Sequence, residues 1–126
     1  MENVKKILIV EDDEPIIFSL SKKLELFKTV KVLCARNGEE GLSMALVEKP
    51  DLILLDIVMP EMDGIEMLRR LRKNDWGKTV KVIILSNLSS PEREDEAKKL
   101  GIKDYIIKAE WKLENVVSKV LEKLTE

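Results

Sequence analysis

Residues 52–64 read LILLDIVMPEMDG, an aliphatic run followed by Asp56 and by a loop that ends in Asp63 and Gly64. A continuous run of leucine and isoleucine is typical of a parallel strand that is buried on both faces. In open α/β sheets, chemistry lies outside the carboxyl ends of such strands. Asp56 is therefore a candidate functional carboxylate, although an aspartate in this position can also cap a strand or a turn.

The same succession of strand and helix occurs five times along the chain. Strands are predicted over residues 5–10, 30–35, 51–55, 80–85 and 103–107, and each is followed by a helical pattern. This alternation predicts an α/β fold with a five-stranded parallel sheet, right-handed crossovers and helices on both faces. No linker or repeat interrupts the pattern, so we expect a single domain over residues 1–126.

Local signals indicate where the helices begin and end. The apolar residues of the first helix recur at helical spacing as far as Phe27. Asp63 is expected to be the N-cap of the third helix. The fourth helix is predicted to open at residues 90–91 and to end at Gly101. The fifth is predicted over residues 111–124.

Composition narrows the possible functions. The 126 residues carry 22 Lys and Arg against 24 Asp and Glu, a net charge of −2, so nothing indicates a nucleic-acid or membrane surface. No segment resembles a transmembrane helix or a signal peptide, and we expect a cytoplasmic protein. The chain has no histidine and one cysteine, Cys34, which we interpret as a small buried apolar residue. Histidine-assisted catalysis is thereby excluded, which leaves carboxylates, hydroxyls, lysines and hard metal ions.

Polar residues follow the first, third, fourth and fifth predicted strands. They are Glu11, Asp12, Asp13, Asp56, Ser86 and Lys108. The carboxyl ends of parallel strands share one edge of the sheet, so we expect these side chains to converge there. Two carboxylates about 4 Å apart repel by roughly 4 kcal/mol at an effective dielectric near 20, which favours either protonation or a bound cation. Oxygen ligands without His or Cys favour Mg²⁺.

Such a set of residues is suited to phosphoryl transfer. An aspartate beside Mg²⁺ is a known type of nucleophile, and Mg²⁺ and Lys108 could neutralise the oxygens of the transferring group. Ser86 could donate a hydrogen bond to the product. Taken singly, Ser86 could equally satisfy backbone groups and Lys108 could be a surface charge, but their occurrence together favours the functional interpretation.

Together with Tyr105 and the loop pattern Asp56-x-x-Met59-Pro60-x-x-Asp63-Gly64, these residues closely resemble the receiver domains of two-component response regulators, the CheY-like family. The resemblance covers the whole chain. It implies a doubly wound, flavodoxin/CheY-like three-layer sandwich with strand order 2-1-3-4-5. It also implies a signalling switch rather than a turnover enzyme, phosphorylated by a sensor histidine kinase, a phosphotransfer protein or a small phosphodonor.

The resemblance assigns roles at the acidic end of the sheet. Asp56 would be the phosphoacceptor, and Mg²⁺ would be held by Glu11, Asp12, Asp56 and the backbone carbonyl of Val58. Asp13 lies next to this group, and its participation stays open. No organic cofactor is expected.

The same resemblance assigns the response to phosphorylation. Ser86 would turn towards the phosphoryl group, Lys108 would pair with it, and Tyr105 would change its burial. A downstream protein would bind the surface formed by the fourth helix, fifth strand and fifth helix, which includes Trp111. The fourth helix has few apolar residues, so we infer that it is the helix most easily moved. Since the chain ends just after the fifth helix, we expect a stand-alone, monomeric receiver, with an excised fragment as the alternative.

Two features depart from the family pattern. Ala109 follows Lys108 where receivers usually have a proline, often in a cis bond, which leaves the placement of Lys108 open. Val58 and Leu88 occupy the positions two residues after Asp56 and two after the serine. Neither side chain can orient an attacking water, so we predict slow self-dephosphorylation.

Three other functions are alternatives to a receiver. A phosphatase of the haloacid dehalogenase type needs an Asp-x-Asp pattern after the first strand, which residues 11–14 lack. A flavin or nucleotide binder needs a phosphate-cradling loop there, but residues 11–15 are acidic and contain no glycine. A pseudo-receiver that binds partners without phosphorylation remains the main alternative because of Ala109.

Overall fold

The computed structural model describes residues 3–59, 61–87 and 90–126. Within them, five parallel strands form one sheet in the order β2-β1-β3-β4-β5. The strands are β1 (Lys5–Val10), β2 (Val30–Ala35), β3 (Leu52–Leu55), β4 (Lys81–Ser86) and β5 (Asp104–Ile107). The helices are α1 (Glu14–Leu24), α2 (Gly38–Glu48), α3 (Gly64–Arg72), α4 (Pro91–Lys99) and α5 (Leu113–Leu124), with a 3-10 turn, Lys108–Glu110, between β5 and α5. The doubly wound fold and its strand order are therefore confirmed.

Strand register brings the carboxyl ends of β1 and β3 side by side. Val10, the last residue of β1, pairs with Ala35 of β2 on one side and with Leu55 of β3 on the other. The backbone N–H of Asp56 continues this ladder by donating to the carbonyl of Val10 at 3.0 Å, and that of Glu11 donates to Ala35 at 3.0 Å. The two acidic residues thus leave the sheet at the same level.

Each face of the sheet packs against its own hydrophobic cluster. Leu8 and Val10 of β1 belong to the cluster that includes Leu68 of α3, whereas Ile7 and Ile9 belong to the cluster on the opposite face. The first cluster also takes in residues of α2 and α4, and the second takes in residues of α1 and α5. Both faces of the central strands are therefore covered, as their continuous aliphatic sequences predict.

Side-chain caps define several helix starts. Asp63 Oδ1 accepts from the backbone N–H of Glu66 at 2.9 Å, which confirms the predicted N-cap of α3. Ser90 Oγ accepts from the backbone N–H of Arg93 at 3.2 Å, so α4 opens at residues 90–91 as predicted. Gly101 follows α4 with a φ of +86°, a left-handed conformation that favours glycine. None of the helices in the described ranges has the length and apolar character needed to cross a bilayer.

Two predicted helix limits are wrong. Helix α1 ends at Leu24, and Phe27 lies beyond it with 39% of its surface exposed. Its carbonyl accepts from the N–H of Val30 at 3.1 Å, because the short segment after α1 must turn back to start β2. Helix α5 begins at Leu113 rather than at Trp111, since the 3-10 turn occupies the preceding residues.

Cys34 is only partly buried, with its Sγ 3.6 Å from the hydroxyl of Ser21.

Candidate functional site

A cavity of about 390 Å³ lies at the carboxyl end of the sheet. The ends of four strands form its walls. The acidic residues, the serine and the lysine that the sequence singles out all line it. Its lining residues are Glu11, Asp12, Asp13, Asp56, Val58, Ser86, Asn87 and Lys108. The predicted convergence is therefore observed.

Lys108 links two buried carboxylates in this cavity. Its Nζ lies 2.6 Å from Oε1 of Glu11 and 3.2 Å from Oδ2 of Asp56. The three side chains are 10%, 3% and 5% exposed, respectively, so water screens their charges poorly. Although burial disfavours the ammonium, its hydrogen bond to Glu11 and the charge of Asp56 raise the pKa of Lys108 above its usual value. The lysine is thus a permanent cation between the two acids.

Lys108 reaches Asp56 without a cis peptide bond. The described residues contain none, so the bond between Lys108 and Ala109 is trans. Lys108 is the first residue of the 3-10 turn that follows β5, and this turn directs its side chain back over the sheet edge. The departure at Ala109 therefore does not prevent the lysine from contacting Asp56.

Three carboxylates are arranged as possible ligands of a single cation. Glu11, Asp12 and Asp56 each offer an oxygen, and these oxygens lie within 4.8 Å of one another. Glu11 and Asp56 are buried, whereas Asp12 is exposed. The all-oxygen donor set fits a hard ion such as Mg²⁺, and one lysine does not balance three acids.

Glu11 has the most perturbed ionisation of the cluster. Its carboxyl pKa is raised to about 7, because burial and the charge of Asp56 outweigh the opposing hydrogen bond from Lys108. A proton or a metal ion would each relieve the repulsion between Glu11 and Asp56. A raised carboxyl pKa of this kind is expected at a cation-binding site that holds no cation.

Asp13 has a structural task beside the cluster. Its Oδ1 accepts from the backbone N–H of Ile16 at 3.3 Å and so caps α1. Its own N–H donates to Oε2 of Glu11 at 3.1 Å, which helps to orient that carboxylate. Asp13 thus lines the cavity, and its carboxylate is used as a helix cap.

Ser86 lies on β4, the strand beside β3, and Tyr105 lies on β5, the edge strand that pairs with β4. Ser86 is the last residue of β4, is fully buried and lines the cavity. Tyr105 on β5 is partly buried against the cluster that contains Ala97 of α4. Burial, followed by the charge of Glu94, raises the pKa of the Tyr105 hydroxyl. The tyrosine therefore packs beside α4.

Gly64 is a feature of the site whose role the sequence pattern did not explain. A Cβ on this residue would lie 2.2 Å from the carbonyl oxygen of Asp56 and 2.9 Å from Cα of Ile57. Its N–H donates to the carbonyl of Ile57 at 2.8 Å. The start of α3 therefore packs directly on the backbone of Asp56, an approach that only glycine permits.

Comparisons with known proteins agree with this geometry. Residues 7–121 match the family model described as the response regulator receiver domain. Protein PilH of Pseudomonas aeruginosa is 36% identical over 103 residues, which cover 82% of this chain and 84% of PilH. The Bacillus subtilis alkaline phosphatase synthesis transcriptional regulatory protein PhoP is 40% identical over 106 residues, which cover 82% of this chain and 42% of PhoP.

A solved structure shares the fold over almost the whole chain. The CheY-like response regulator receiver domain protein of Methanospirillum hungatei JF-1 is 32% identical with a TM-score of 0.87, covering 97% of this chain and 94% of that one. The chain spans most of PilH but less than half of PhoP. Receiver domains take phosphoryl groups from histidine kinases and act as phosphorylation-dependent switches. With a matched family model over nearly its full length and an acidic cavity at the expected sheet edge, the chain belongs to the response regulator receiver domain family of two-component signalling.

Proposed function

We propose that Asp56 accepts a phosphoryl group from a sensor histidine kinase or a phosphotransfer protein, and that this switches the chain between two states. The observation that carries the proposal is Lys108, which lies within 3.2 Å of Asp56 and 2.6 Å of Glu11 in a buried acidic cavity. The cation lies beside the carboxylate that would carry the new charge. The cavity opens to solvent beside exposed Asp12, which leaves room for a donor.

Mg²⁺ is the expected cofactor. Glu11, Asp12, Asp56 and the backbone carbonyl of Val58 would hold it, and all of these donors are oxygen. When bound, the ion would neutralise charge on the phosphoryl oxygens during transfer. Asp13 would support this set indirectly, through the hydrogen bond from its N–H to Glu11.

The transfer itself would use Asp56 as the nucleophile. A carboxylate oxygen of Asp56 attacks phosphorus, the new O–P bond forms as the donor's bond to phosphorus breaks, and the leaving group departs with that electron pair. The aspartyl phosphate carries a charge of about −1.5 to −2 in place of −1. Lys108 is close enough to pair with the added oxygens, since its Nζ already contacts Oδ2 of Asp56.

Ser86 and Tyr105 would relay the change to the surface. The hydroxyl of Ser86 is buried in the cavity wall and could donate to a phosphoryl oxygen. Ser86 pairs with Ile107 of β5, two residues after Tyr105, so movement of Ser86 at the end of β4 would alter the space near Tyr105 and thereby the position of α4. The surface of α4, β5 and α5 would then bind a downstream protein.

The phosphorylated form should be long-lived. Val58 lines the cavity with an exposed apolar side chain, which cannot orient a water towards Asp56. Leu88, the second residue in this argument, lies outside the described residues. The chain would thus catalyse its own phosphorylation and slow dephosphorylation without acting as a turnover enzyme.

We further propose that residues 1–126 form one receiver domain that acts as a monomer in the cytoplasm. A net charge of −2 favours protein partners over nucleic acid or a membrane surface. The proposed partners are a sensor histidine kinase or phosphotransfer protein and one unidentified downstream protein.

A mass measurement separates this function from its alternatives. The protein is incubated with acetyl phosphate and Mg²⁺, and its intact mass is recorded. We expect one added phosphoryl group in the wild type and in Asp75→Asn, whose exposed carboxylate lies in the loop before β4, but none in Asp56→Asn. Continuous release of phosphate would instead favour a phosphatase. An unchanged mass would favour a pseudo-receiver, the alternative suggested by Ala109.

A further inference from the structure

Helix α4 has little apolar contact with the rest of the protein. Its sequence is PEREDEAKK, and within Pro91–Lys99 only Ala97 is buried. In contrast, α5 buries three valines in the core. Burial of apolar surface is the main source of helix anchoring in globular proteins, so something else must hold α4 in place.

Ion pairs connect α4 to α3. Arg93 Nη2 lies 2.9 Å from Oδ2 of Asp63, and Arg69 Nη2 lies 2.8 Å from Oε2 of Glu96. Arg93 and Glu96 also approach within 3.8 Å, and Arg69 pairs with Glu66 on its own helix. These five side chains alternate in sign along the contact between the two helices. All of them are partly shielded from solvent, which makes their attraction stronger than that of fully exposed pairs.

The other end of α4 is fixed more firmly. Arg72 of α3 donates through Nε to the carbonyl of Leu100, just after α4, at 2.8 Å. Its Nη1 donates to the carbonyls of Gly77 and Val80, each at 2.8 Å. This half-buried guanidinium joins three backbone segments. The C-terminal end of α4 is therefore a natural pivot, whereas among the described residues Arg93 provides the ion pair that ties its first half to Asp63.

Asp63 connects this arrangement to the phosphoacceptor loop. One carboxylate oxygen caps α3 through the N–H of Glu66, and the other accepts from Arg93. Although burial opposes ionisation, the hydrogen bonds from Glu66 and Arg93 hold the pKa of Asp63 below its usual value. The next residue, Gly64, packs on the carbonyl of Asp56. A shift of the Asp56 backbone would thus reach Asp63 through Gly64, which contacts Asp56 and is bonded to Asp63.

We propose that the Asp63–Arg93 ion pair is a latch that holds the first half of α4 against the loop carrying Asp56. Opening of the latch lets α4 pivot about its Leu100 end. The resting-state part of this inference is independent of phosphorylation, whereas the idea that phosphorylation opens the latch rests on the proposed function. An ion pair that forms in one conformational state and not in the other changes the free-energy difference between the two states by the free energy of the pair.

Amide hydrogen exchange of the unphosphorylated protein tests the latch. Arg93→Met removes the guanidinium and keeps the aliphatic stem, while Asp63→Asn removes the charge and keeps a good N-cap residue. We expect each change to speed exchange of the α4 amides by about two- to fivefold, the effect typical of an exposed to half-buried pair. The double variant should match either single one. Raising salt from about 0.02 M to about 0.5 M should speed exchange more in the wild type than in Arg93→Met, where the Arg69–Glu96 pair still connects α3 to α4.

The matched control is Arg70→Met, which breaks a pair with Glu66 within α3 alone. Its α4 amides should exchange as in the wild type. Wild-type α4 exchange in Arg93→Met, equal acceleration in Arg70→Met, or additive effects in the double variant would each overturn the latch.

A second arm adds acetyl phosphate and Mg²⁺, with the phosphorylated fraction measured by intact mass. Phosphorylation should speed α4 exchange in the wild type more than in Arg93→Met. If phosphorylation speeds α4 exchange equally in the wild type and in Arg93→Met, then phosphorylation of Asp56 does not act through the latch. A failure to gain mass would count against the proposed function and leave the resting-state result to stand on its own.

Discussion

Glu11 is the residue whose ionisation should be most visible in the stability of the protein. Its folded-state pKa of about 7 lies above the ordinary value of 4.5. A raised pKa contributes stability that is fully present below about pH 4.5 and is lost as the pH rises through 7. We expect the unfolding free energy of the metal-free protein to lose on the order of 1–3 kcal/mol from this group over that window. Urea denaturation at a series of pH values measures it.

Two variants separate the contribution of Glu11 to the pH dependence of stability from the contributions of other groups. Glu11→Gln should flatten the dependence between pH 4.5 and 7, whereas Glu48→Gln, which removes a partner of Lys6 at the opposite end of the sheet, should not. The lowered pKa values of Asp63 and Asp104 act in the opposite sense and at lower pH, where their stabilisation is lost as the pH falls. Identical slopes for Glu11→Gln and the wild type would refute this origin.

Gly64 should be essential to the geometry of Asp56. In Gly64→Ala the new methyl group would meet the carbonyl oxygen of Asp56, so the backbone must shift at a cost of about 1–3 kcal/mol. We expect slower phosphorylation by acetyl phosphate as well as lower stability. Gly101→Ala is a suitable control, because its φ of +86° also strains an alanine, at a position remote from the cavity. Comparable losses of phosphorylation rate in both variants would contradict a specific role for Gly64.

Val58 should set the lifetime of the phosphorylated state. Replacement by Asn places a polar group at the exposed side of the cavity, where it can orient a water, and we expect the phosphoryl group to be lost severalfold faster. Phosphate release after removal of the donor gives the rate. Val47→Asn alters another exposed valine, on α2, and should leave the lifetime unchanged. Loss of phosphate from the wild type within seconds, without a phosphatase, would argue against the idea.

Among the elements, α4 should be the helix that opens most readily. Only Ala97 is buried in α4, whereas α5 buries Val116, Val117 and Val120, each contributing about 1.5–3 kcal/mol. We expect amides of α4 to exchange at least about tenfold faster than those of α5, which corresponds to about 1.4 kcal/mol. Native-state hydrogen exchange measures both helices in one sample. Equal protection of α4 and α5 would show that charge anchors α4 as firmly as apolar packing anchors α5.

The sequence predicted the strands better than the helix ends. The limits of β1 and β2 agree with the prediction, because an aliphatic run that stops at a charged residue marks the buried part of a strand. Periodicity failed at Phe27, where the apolar pattern continues after the chain has turned towards β2. The apolar pattern within one helix does not show how many residues the chain needs to turn back and begin the next strand.

The site was predictable because parallel strands end at a common edge. That rule alone brings Glu11, Asp56, Ser86 and Lys108 to one cavity, as the structure shows. The pairing of Asp63 with Arg93 was not predictable, since it depends on how α4 lies against α3 across 30 residues of sequence. Charged helix surfaces offer many alternative partners, and only the packed structure selects one.

At the scale of the whole molecule, the site and the weakly anchored helix lie on connected parts of one sheet. Asp56 follows β3, Ser86 ends β4, and Lys108 follows β5, so we expect a charge added to Asp56 to act on the ends of β4 and β5. Helix α4 connects those two strands. The contact of Gly64 with Asp56 and the Asp63–Arg93 ion pair would provide a second route to the same helix. Both routes begin at one carboxylate.

Locating the added phosphoryl group tests this account most directly. The protein is treated with acetyl phosphate, with and without Mg²⁺, and the acyl phosphate is mapped to a residue by reduction and peptide mass spectrometry. We expect modification at Asp56 alone, only when Mg²⁺ is present, and strongly reduced in Lys108→Met. Modification at Asp12 or Asp13, or equal labelling of Asp56 without a divalent metal, would contradict the assignment of Asp56 as the metal-dependent phosphoacceptor.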